Sequence, residues 1–325
     1  WLHIITQLIF LNLLPLGKHF HVITALPNVF LKSLGYPHEQ AKVLDLEDEA
    51  AWEDESLGVN HIHQLNWKQG LDLYTCTECG RCKEVCPTYT TDKPLNLLDF
   101  NDSLKLELLE NADNLIKRKT LAATIKADDD PEQIEKTRAA MAELASKKQL
   151  VGEVISQDTL WACTTCRACE QVCPVTIEHV PRIIAMRQGQ TLMAEAYPKE
   201  LNAAFKGLER NGNPWGIGYD KRADWAAGLA VKTMADDSDV DYLLWVGCAG
   251  SFDDRSKKVS VSLVKILQRA GVRFSILGTE EKCTGDFARR AGNKMMYQMM
   301  AQENIETLNN YKVKKIIAAC PHCLN

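Results

Sequence analysis

Two copies of one cysteine run constrain this chain more than any other feature. The first is Cys76-Thr-Glu-Cys79-Gly-Arg-Cys82-Lys-Glu-Val-Cys86-Pro87, and the second is Cys163-Thr-Thr-Cys166-Arg-Ala-Cys169-Glu-Gln-Val-Cys173-Pro174. Each reads C-x2-C-x2-C-x3-C-P, the spacing that wraps three thiolates around one cubane iron–sulfur cluster and sends the fourth to the neighbouring cluster. Cys76, Cys79, Cys82 and Cys173 are therefore expected to hold one [4Fe–4S] cluster. Cys163, Cys166, Cys169 and Cys86 are expected to hold the other. Tetrahedral zinc is the competing reading, because C-x2-C pairs also serve zinc. Zinc sites rarely repeat four cysteines at this spacing with a trailing proline. Two clusters close together imply electron transfer.

The 325 residues allow two or three domains, and a net charge of -5 gives no sign of a nucleic-acid surface. The charged runs Glu47 to Glu55 and Asp128 to Asp130 read as solvated faces or linkers. Eight of the twelve cysteines sit in the two runs. That usage fits metal-bound thiolates in a reducing compartment rather than a disulfide framework. The sequence starts at Trp1 inside an apolar run and stops at Asn325 just after a C-x2-C, so it reads as a fragment cut at both ends.

Residues 1–16 are apolar apart from His3, Thr6, Gln7 and Asn12. Sixteen residues fall short of the ~20 that span a bilayer, so the segment is expected to be the end of a transmembrane helix. It lacks the basic start and small-residue cleavage site of a signal peptide. A buried helix of a soluble domain is the alternative. On one unbroken helix His3 and His21 would share a face about 27 Å apart, placing each near one membrane surface as an axial ligand for a b-type haem. His19 falls on the far side and ranks below His21, and Pro15 and Gly17 weaken the phasing. His19 and His21 also read as plain interfacial residues. Lys18 and Lys32 favour a cytoplasmic side. Residues 22–36 remain apolar and suit the membrane surface, whereas 37–66 look like an acidic linker.

The region 67–235 reads as mostly helical. Ser156 or Asp158 is a candidate cap for a helix over 156–162. The long stretch between the two runs has helical period over 104–127 and 131–150, split by Asp128-Asp-Asp-Pro131. Ile177, Val180, Ile183 and Ile184 suit one packed helix face. Arg81 and Arg167 lie inside the cysteine loops, either tuning a cluster by charge or simply solvated. From residue 239 the pattern changes. Tyr242 to Val246, Val272 to Leu277 and Lys315 to Ala319 read as strands, with helices over 254–270 and 293–310, giving a parallel β-α-β-α-β unit. Cys248, Cys283, Cys320 and Cys323 then all fall at the carboxyl ends of the strands, where open α/β sheets build their sites.

These last spacings resemble the cysteine-rich CCG domain family. Here the pattern is Cys248, then Cys283-Thr284-Gly285, then Cys320-Pro321-His322-Cys323, with Thr284 in place of the second cysteine of Cys-Cys-Gly. Joined to the double cysteine run, the whole resembles the cluster-bearing CCG chain of heterodisulfide reductase. The segment Lys18-His19-Phe20-His21-Val22 after an apolar helix resembles the membrane-anchored branch of that family, which includes electron-transfer-flavoprotein:menaquinone oxidoreductases. Its anchor is similar to the haem-bearing gamma subunit of respiratory nitrate reductase.

The resemblance implies residues 1–31 as the end of an anchor, 32–66 as linker, 67–235 as a helical two-cluster ferredoxin domain, and 236–325 as a first CCG repeat. The family closes two CCG repeats over a noncubane iron–sulfur site. With Thr284 and one repeat, the ligand set stays open: the four thiols hold one cluster, share one, or bind zinc. The implied function is a membrane-bound oxidoreductase of the cell inner membrane, with its clusters on the cytoplasmic side. It would carry electrons between a soluble donor, such as an electron-transfer flavoprotein, and a quinone, by way of haem. The iron–sulfur subunit of a glycolate or glycerol-3-phosphate dehydrogenase is a second reading, and a non-redox zinc scaffold a third. No side chain reads as a general acid or base. His322 is a candidate proton donor or an exposed loop residue.

Overall fold

The computed structural model describes residues 1–14, 17–34, 44–45, 52, 57–126 and 130–324. The chain divides into two compact units, one of residues 1–34 and 50–194 and one of 35–49 and 195–325.

The first unit is helical. It opens with α1 (Leu2–Leu13) and α2 (His21–Phe30). Between them Gly17 is extended (φ −129°, ψ −173°), and a short 3-10 turn over Lys18–Phe20 leads into α2. The single helix assumed in phasing His3 against His21 is therefore absent, and the two histidines sit on separate helices. α1 has no buried residue and has only 12 residues. Among the described residues, no helix is long and apolar enough to cross a membrane.

Five helices follow: α3 (Trp67–Thr75), α4 (Arg81–Glu84), α5 (Leu97–Glu110), α6 (Ala112–Ala122) and α7 (Pro131–Glu143), of which α3 and α5 bury residues in the core. Then come α8 (Gln157–Ala162), α9 (Ala168–Gln171) and α10 (His179–Gln188). Their starts follow from local chemistry. Asn66 and Gln69 form a reciprocal capping box on α3. The Asn96, Asp130 and Ser156 side chains each accept a first-turn N–H of α5, α7 and α8. Pro131 occupies the first turn of α7, where its missing N–H is harmless. The helix expected over 104–127 begins earlier, at Leu97, and breaks at Asn111. Leu97, Phe100, Leu104 and Glu107 recur every three or four residues on the buried face of α5. They meet Leu73, Leu160, Ile183 and Met186, each at most 1% exposed. Full burial of each such side chain contributes about 2 kcal/mol.

Residues 57–66, expected in the linker, belong to this core: Val59 is 5% and Ile62 1% exposed. Their apolar spacing is too short to register as a helix face. The acidic runs at 47–55 and 128–130 lie almost wholly outside the described residues.

In the second unit, α11 (Leu201–Asn211) ends at left-handed Gly212. A three-stranded parallel sheet follows: β1 (Tyr242–Trp245), β2 (Phe274–Ser275) and β3 (Ile316–Ala318), in the order β2-β1-β3. Leu243 pairs with Ser275 on one side and Ile316 on the other. The linking helices are α12 (Gly247–Phe252), α13 (Asp254–Arg269), α14 (Asp286–Arg290) and α15 (Lys294–Asn310), and α16 (Pro321–Leu324) comes last. The central strand is buried on both faces, as a parallel strand requires. Leu244 and Val246 pack with Trp225, Val264 and Ile276, while Leu243 and Trp245 pack with Met234 and Leu277. Trp225 and Met234 thus draw residues 195–235 into this unit, although the sequence placed them with the ferredoxin domain.

Candidate metal centres

The two cysteine loops take the same backbone path. Two residues past the first cysteine, Glu78 and Thr165 have φ of 56° and 57°. One residue past the second cysteine, Gly80 and Arg167 have φ of 76° and 62°. The left-handed turn is free for Gly80 but costs Arg167 about 1–2 kcal/mol. Each loop then enters a one-turn helix, α4 or α9. The turns bring backbone N–H groups onto sulfur: Thr165 N lies 3.3 Å from Cys163 Sγ. At the other end of the second run Ile177 N lies 3.4 Å from Cys173 Sγ.

The thiols gather across the two runs. Burial, then the charge of Cys76, pushes the Cys82 thiol up to about 11, and Cys173 and Cys79 add to it. Burial also raises Cys76, on which Cys173 acts as well. In the other set burial raises Cys163, which feels both Cys86 and Cys166. Burial raises Cys169 too, followed by Glu170, Cys163 and Cys166. Cys173 thus acts on thiols of the first run and Cys86 on one of the second, while Cys82 also acts on Cys169 across the two runs. Among the described residues, no three His, Cys, Asp or Glu side chains converge closely enough to hold a single metal ion. A cube asks for something else, thiolates spread around its corner irons.

The surroundings fit an anionic group. Arg182 on α10 is fully buried, and its Nη2 donates to Asn101 Oδ1 at 2.8 Å. Its Nε and Nη1 make no hydrogen bond. Burial pushes its guanidinium down, while Asp72, Cys76 and Cys169 pull it back up. A buried cation needs compensation: Asp72 and Glu170 supply part of it, and cluster-bound thiolates at Cys76 and Cys169 would supply more. Arg187 of the same helix donates Nη2 to the carbonyls of Leu160 (2.9 Å) and Cys163 (2.7 Å), fixing the start of the second loop. Arg167 pairs with Glu170 at 3.2 Å.

In the second unit the four remaining cysteines also meet. Cys248 lies in α12 just past β1, Cys283 follows the turn after β2, and Cys320 and Cys323 flank the start of α16. A hydrogen bond to Cys283, then burial, raises Cys248, and the same bond lowers Cys283. Burial, then Cys320, raises Cys323, which also feels Cys248. Gly212 O accepts from Cys283 N at 2.8 Å and from Cys248 Sγ at 3.8 Å. Asn304 Nδ2 donates to Cys283 O at 2.9 Å. Thr284 lines a cavity of about 340 Å³ together with Tyr297, Ile305, His322 and Cys323. His322 is exposed, with Nδ1 3.0 Å from Asp286 Oδ2 and 2.9 Å from Arg290 Nη1.

Two residues of this site carry no sequence signal. Arg222, 2% exposed, donates Nη2 to Glu281 Oε1 at 2.8 Å and to Cys248 Sγ at 3.5 Å. Glu281 also accepts from Val246 N at 2.9 Å and Gly247 N at 2.8 Å.

The histidines singled out for haem are scattered by comparison. His3 Nε2 lies 3.1 Å from Gln7 Nε2 within α1. The rings of His19 and His21 lie 6.4 Å apart, tilted by 50°.

Comparison with known proteins agrees with the two-part layout. Residues 68–174 match the 4Fe-4S dicluster domain, and residues 242–325 match the cysteine-rich CCG domain. The chain is 40% identical over 99% of its length to an EtfAB:quinone oxidoreductase of Syntrophomonas wolfei, of which it covers 44%. It is 34% identical over 86% of its length to a probable membrane-anchored ferredoxin of Chromohalobacter salexigens, of which it covers 40%. It is 27% identical over 78% of its length to a chain of the dihydromethanophenazine:CoB--CoM heterodisulfide reductase of Methanosarcina mazei, and it covers 56% of that chain. It thus spans about half the length of these relatives. No solved structure matches it. With each cysteine set on its own fold and relatives of this kind along its length, the chain joins a 4Fe-4S dicluster domain to a cysteine-rich CCG domain.

Proposed function

We propose that this chain is the electron-relaying part of a quinone-linked iron–sulfur oxidoreductase, fed by a soluble flavoprotein donor and held at the inner membrane with its clusters on the cytoplasmic side. The observation that carries the reading is that both cysteine runs take the same backbone path, with left-handed turns at Glu78 and Gly80 in one and at Thr165 and Arg167 in the other. Cys76, Cys79, Cys82 and Cys173 would hold one [4Fe–4S] cluster, and Cys163, Cys166, Cys169 and Cys86 the other. Bound there, the clusters supply one-electron chemistry, and the protein supplies spacing, burial and charge. Arg182 offsets the negative charge of the thiolates, and the paired left-handed turns hold backbone donors on sulfur.

The donor and acceptor are taken from the relative named EtfAB:quinone oxidoreductase. Attachment to the membrane has two supports. One relative is named a membrane-anchored ferredoxin. The N-terminal helices also leave Ile4, Leu8, Phe10, Val22, Leu26 and Phe30 exposed, an apolar surface of the kind that meets lipid or a partner.

The test is anaerobic purification of the full-length protein from membranes, followed by iron, acid-labile sulfide, visible and EPR measurements. The expected result is about eight cubane irons, reduced by an electron-transfer flavoprotein and reoxidised by a quinone. A b-haem band is expected if the histidines of the N-terminal segment ligate haem. Cubanes without haem, retained in a soluble dehydrogenase complex, would move the assignment to an iron–sulfur subunit of the glycolate or glycerol-3-phosphate dehydrogenase kind. Zinc without sulfide would end the redox reading.

A further inference from the structure

A buried ion pair stands behind the four cysteines of the CCG site. Arg222 and Glu281 both have side chains only 2% exposed, and they meet at 2.8 Å. The same Arg222 nitrogen that binds Glu281 lies 3.5 Å from Cys248 Sγ. Its Nη1 reaches Gly212 O at 3.5 Å, and the guanidinium lies over Phe252, 5.7 Å from the ring centroid. Its Nε makes no hydrogen bond. Glu281 is held by two backbone N–H groups as well as by Arg222. The carboxylate therefore has three donors, while the guanidinium divides its charge between a carboxylate and a sulfur.

We infer that Arg222 and Glu281 are positioning residues of opposite sign that together set the reduction potential of the CCG cysteine site. The inference rests on that site being redox-active. With an iron–sulfur cluster held by these cysteines, one electron taken up at its iron would add one negative charge to the cluster and its thiolates. In a buried, low-dielectric setting a cation at Cys248 stabilises that added charge, and the carboxylate beyond it opposes it. Arg222 then raises the potential, and Glu281 lowers it by drawing the guanidinium toward itself. Purely structural roles predict no such opposition, because loss of either partner would loosen the same contact.

The experiment is a dithionite redox titration of the full-length protein, in which dithionite donates the electron, followed by EPR and by alkylation of Cys248 read by mass spectrometry. The transition belonging to this site is the one lost in Cys320→Ser. Arg222→Gln should lower its midpoint, shifting the one-electron equilibrium at least about tenfold, which is about 59 mV. Glu281→Gln should raise it by a similar factor. The double variant should return near the starting value. Arg222→Lys, which keeps the charge without the fork, should restore most of the potential. Shifts in the same direction for Arg222→Gln and Glu281→Gln, or a Lys variant no better than Gln, would overturn the inference while leaving the relay intact. Absence of any redox transition lost in Cys320→Ser would remove the inference together with a redox role for this site, although the two cubanes could still signal.

Discussion

A Cβ built on Gly247 would lie 2.8 Å from Sγ of Cys323. Gly247 is the residue just before Cys248, its φ is 76°, and its N–H is bound by Glu281. Cys323 Sγ can sit where it does because position 247 has no side chain.

Gly247→Ala should therefore cost both the left-handed backbone penalty of about 1–2 kcal/mol and an overlap of about 1–3 kcal/mol. Gly271→Ala is the control: its φ is 68° but nothing lies within 4 Å of the added carbon. The expected result is a larger fall in melting temperature for Gly247→Ala, together with loss of any metal bound by Cys320 and Cys323. Equal losses for the two variants would show that Cys323 has room to move.

Asn28 on α2 is fully buried and donates Nδ2 to Asp72 Oδ1 at 3.0 Å and to Val175 O at 2.9 Å. This polar contact ties the N-terminal segment to the loop after Cys173. Asn28→Leu strands the Val175 carbonyl and should destabilise the first unit by about 1–3 kcal/mol. Hydrogen exchange should accelerate in α2 and leave α13 of the other unit unchanged. Unchanged exchange in α2 would mean that its apolar contacts suffice.

What was legible in the sequence was short-range and repetitive. The cysteine spacings picked out the dicluster region because a cluster fixes how many residues can lie between its ligands. The strand at Tyr242 was legible because a strand buried on both faces must be a continuous apolar run. Buried polar partners were not legible. Arg222 and Arg182 look like any surface arginine, and only the fold carries one to Cys248 and the other to Asn101. Residues 57–66 failed as a linker because Val59 and Ile62 reach a core that long-range packing assembles. The phasing of His3 with His21 failed at Gly17, where one extended residue is enough to break a helix.

His179 gives a pH dependence with a defined sign. It is fully buried, and burial, then Arg182, lowers its pKa from 6.5 to about 3. Its Nδ1 faces Arg182 Nη2 at 3.4 Å, so the ring accepts there and is neutral. Above about pH 6.5 both folded and unfolded states are neutral, and the stability is whole. As the pH falls toward 3 the unfolded ring takes up a proton that the folded ring refuses, so stability declines by up to about 1.4 kcal/mol per pH unit. Apparent urea midpoints at about pH 7 and about pH 5.5 should differ less in His179→Gln than in the parent. An equal difference would place the acid sensitivity elsewhere.

The exchange of fourth cysteines is open to a direct test with four serine variants. In the structure Cys173 acts on Cys76 and Cys82, and Cys86 acts on Cys163. Cys76→Ser and Cys173→Ser should therefore remove the same EPR signal, although 97 positions separate the two residues in sequence. Cys163→Ser and Cys86→Ser should remove the other. Each variant should lose about four of about eight irons. If each run held its own cluster, Cys86→Ser would match Cys76→Ser, and Cys173→Ser would match Cys163→Ser. That pattern would contradict both the spacing rule and the packing of the thiols, because neither run could then lend its last cysteine to the other.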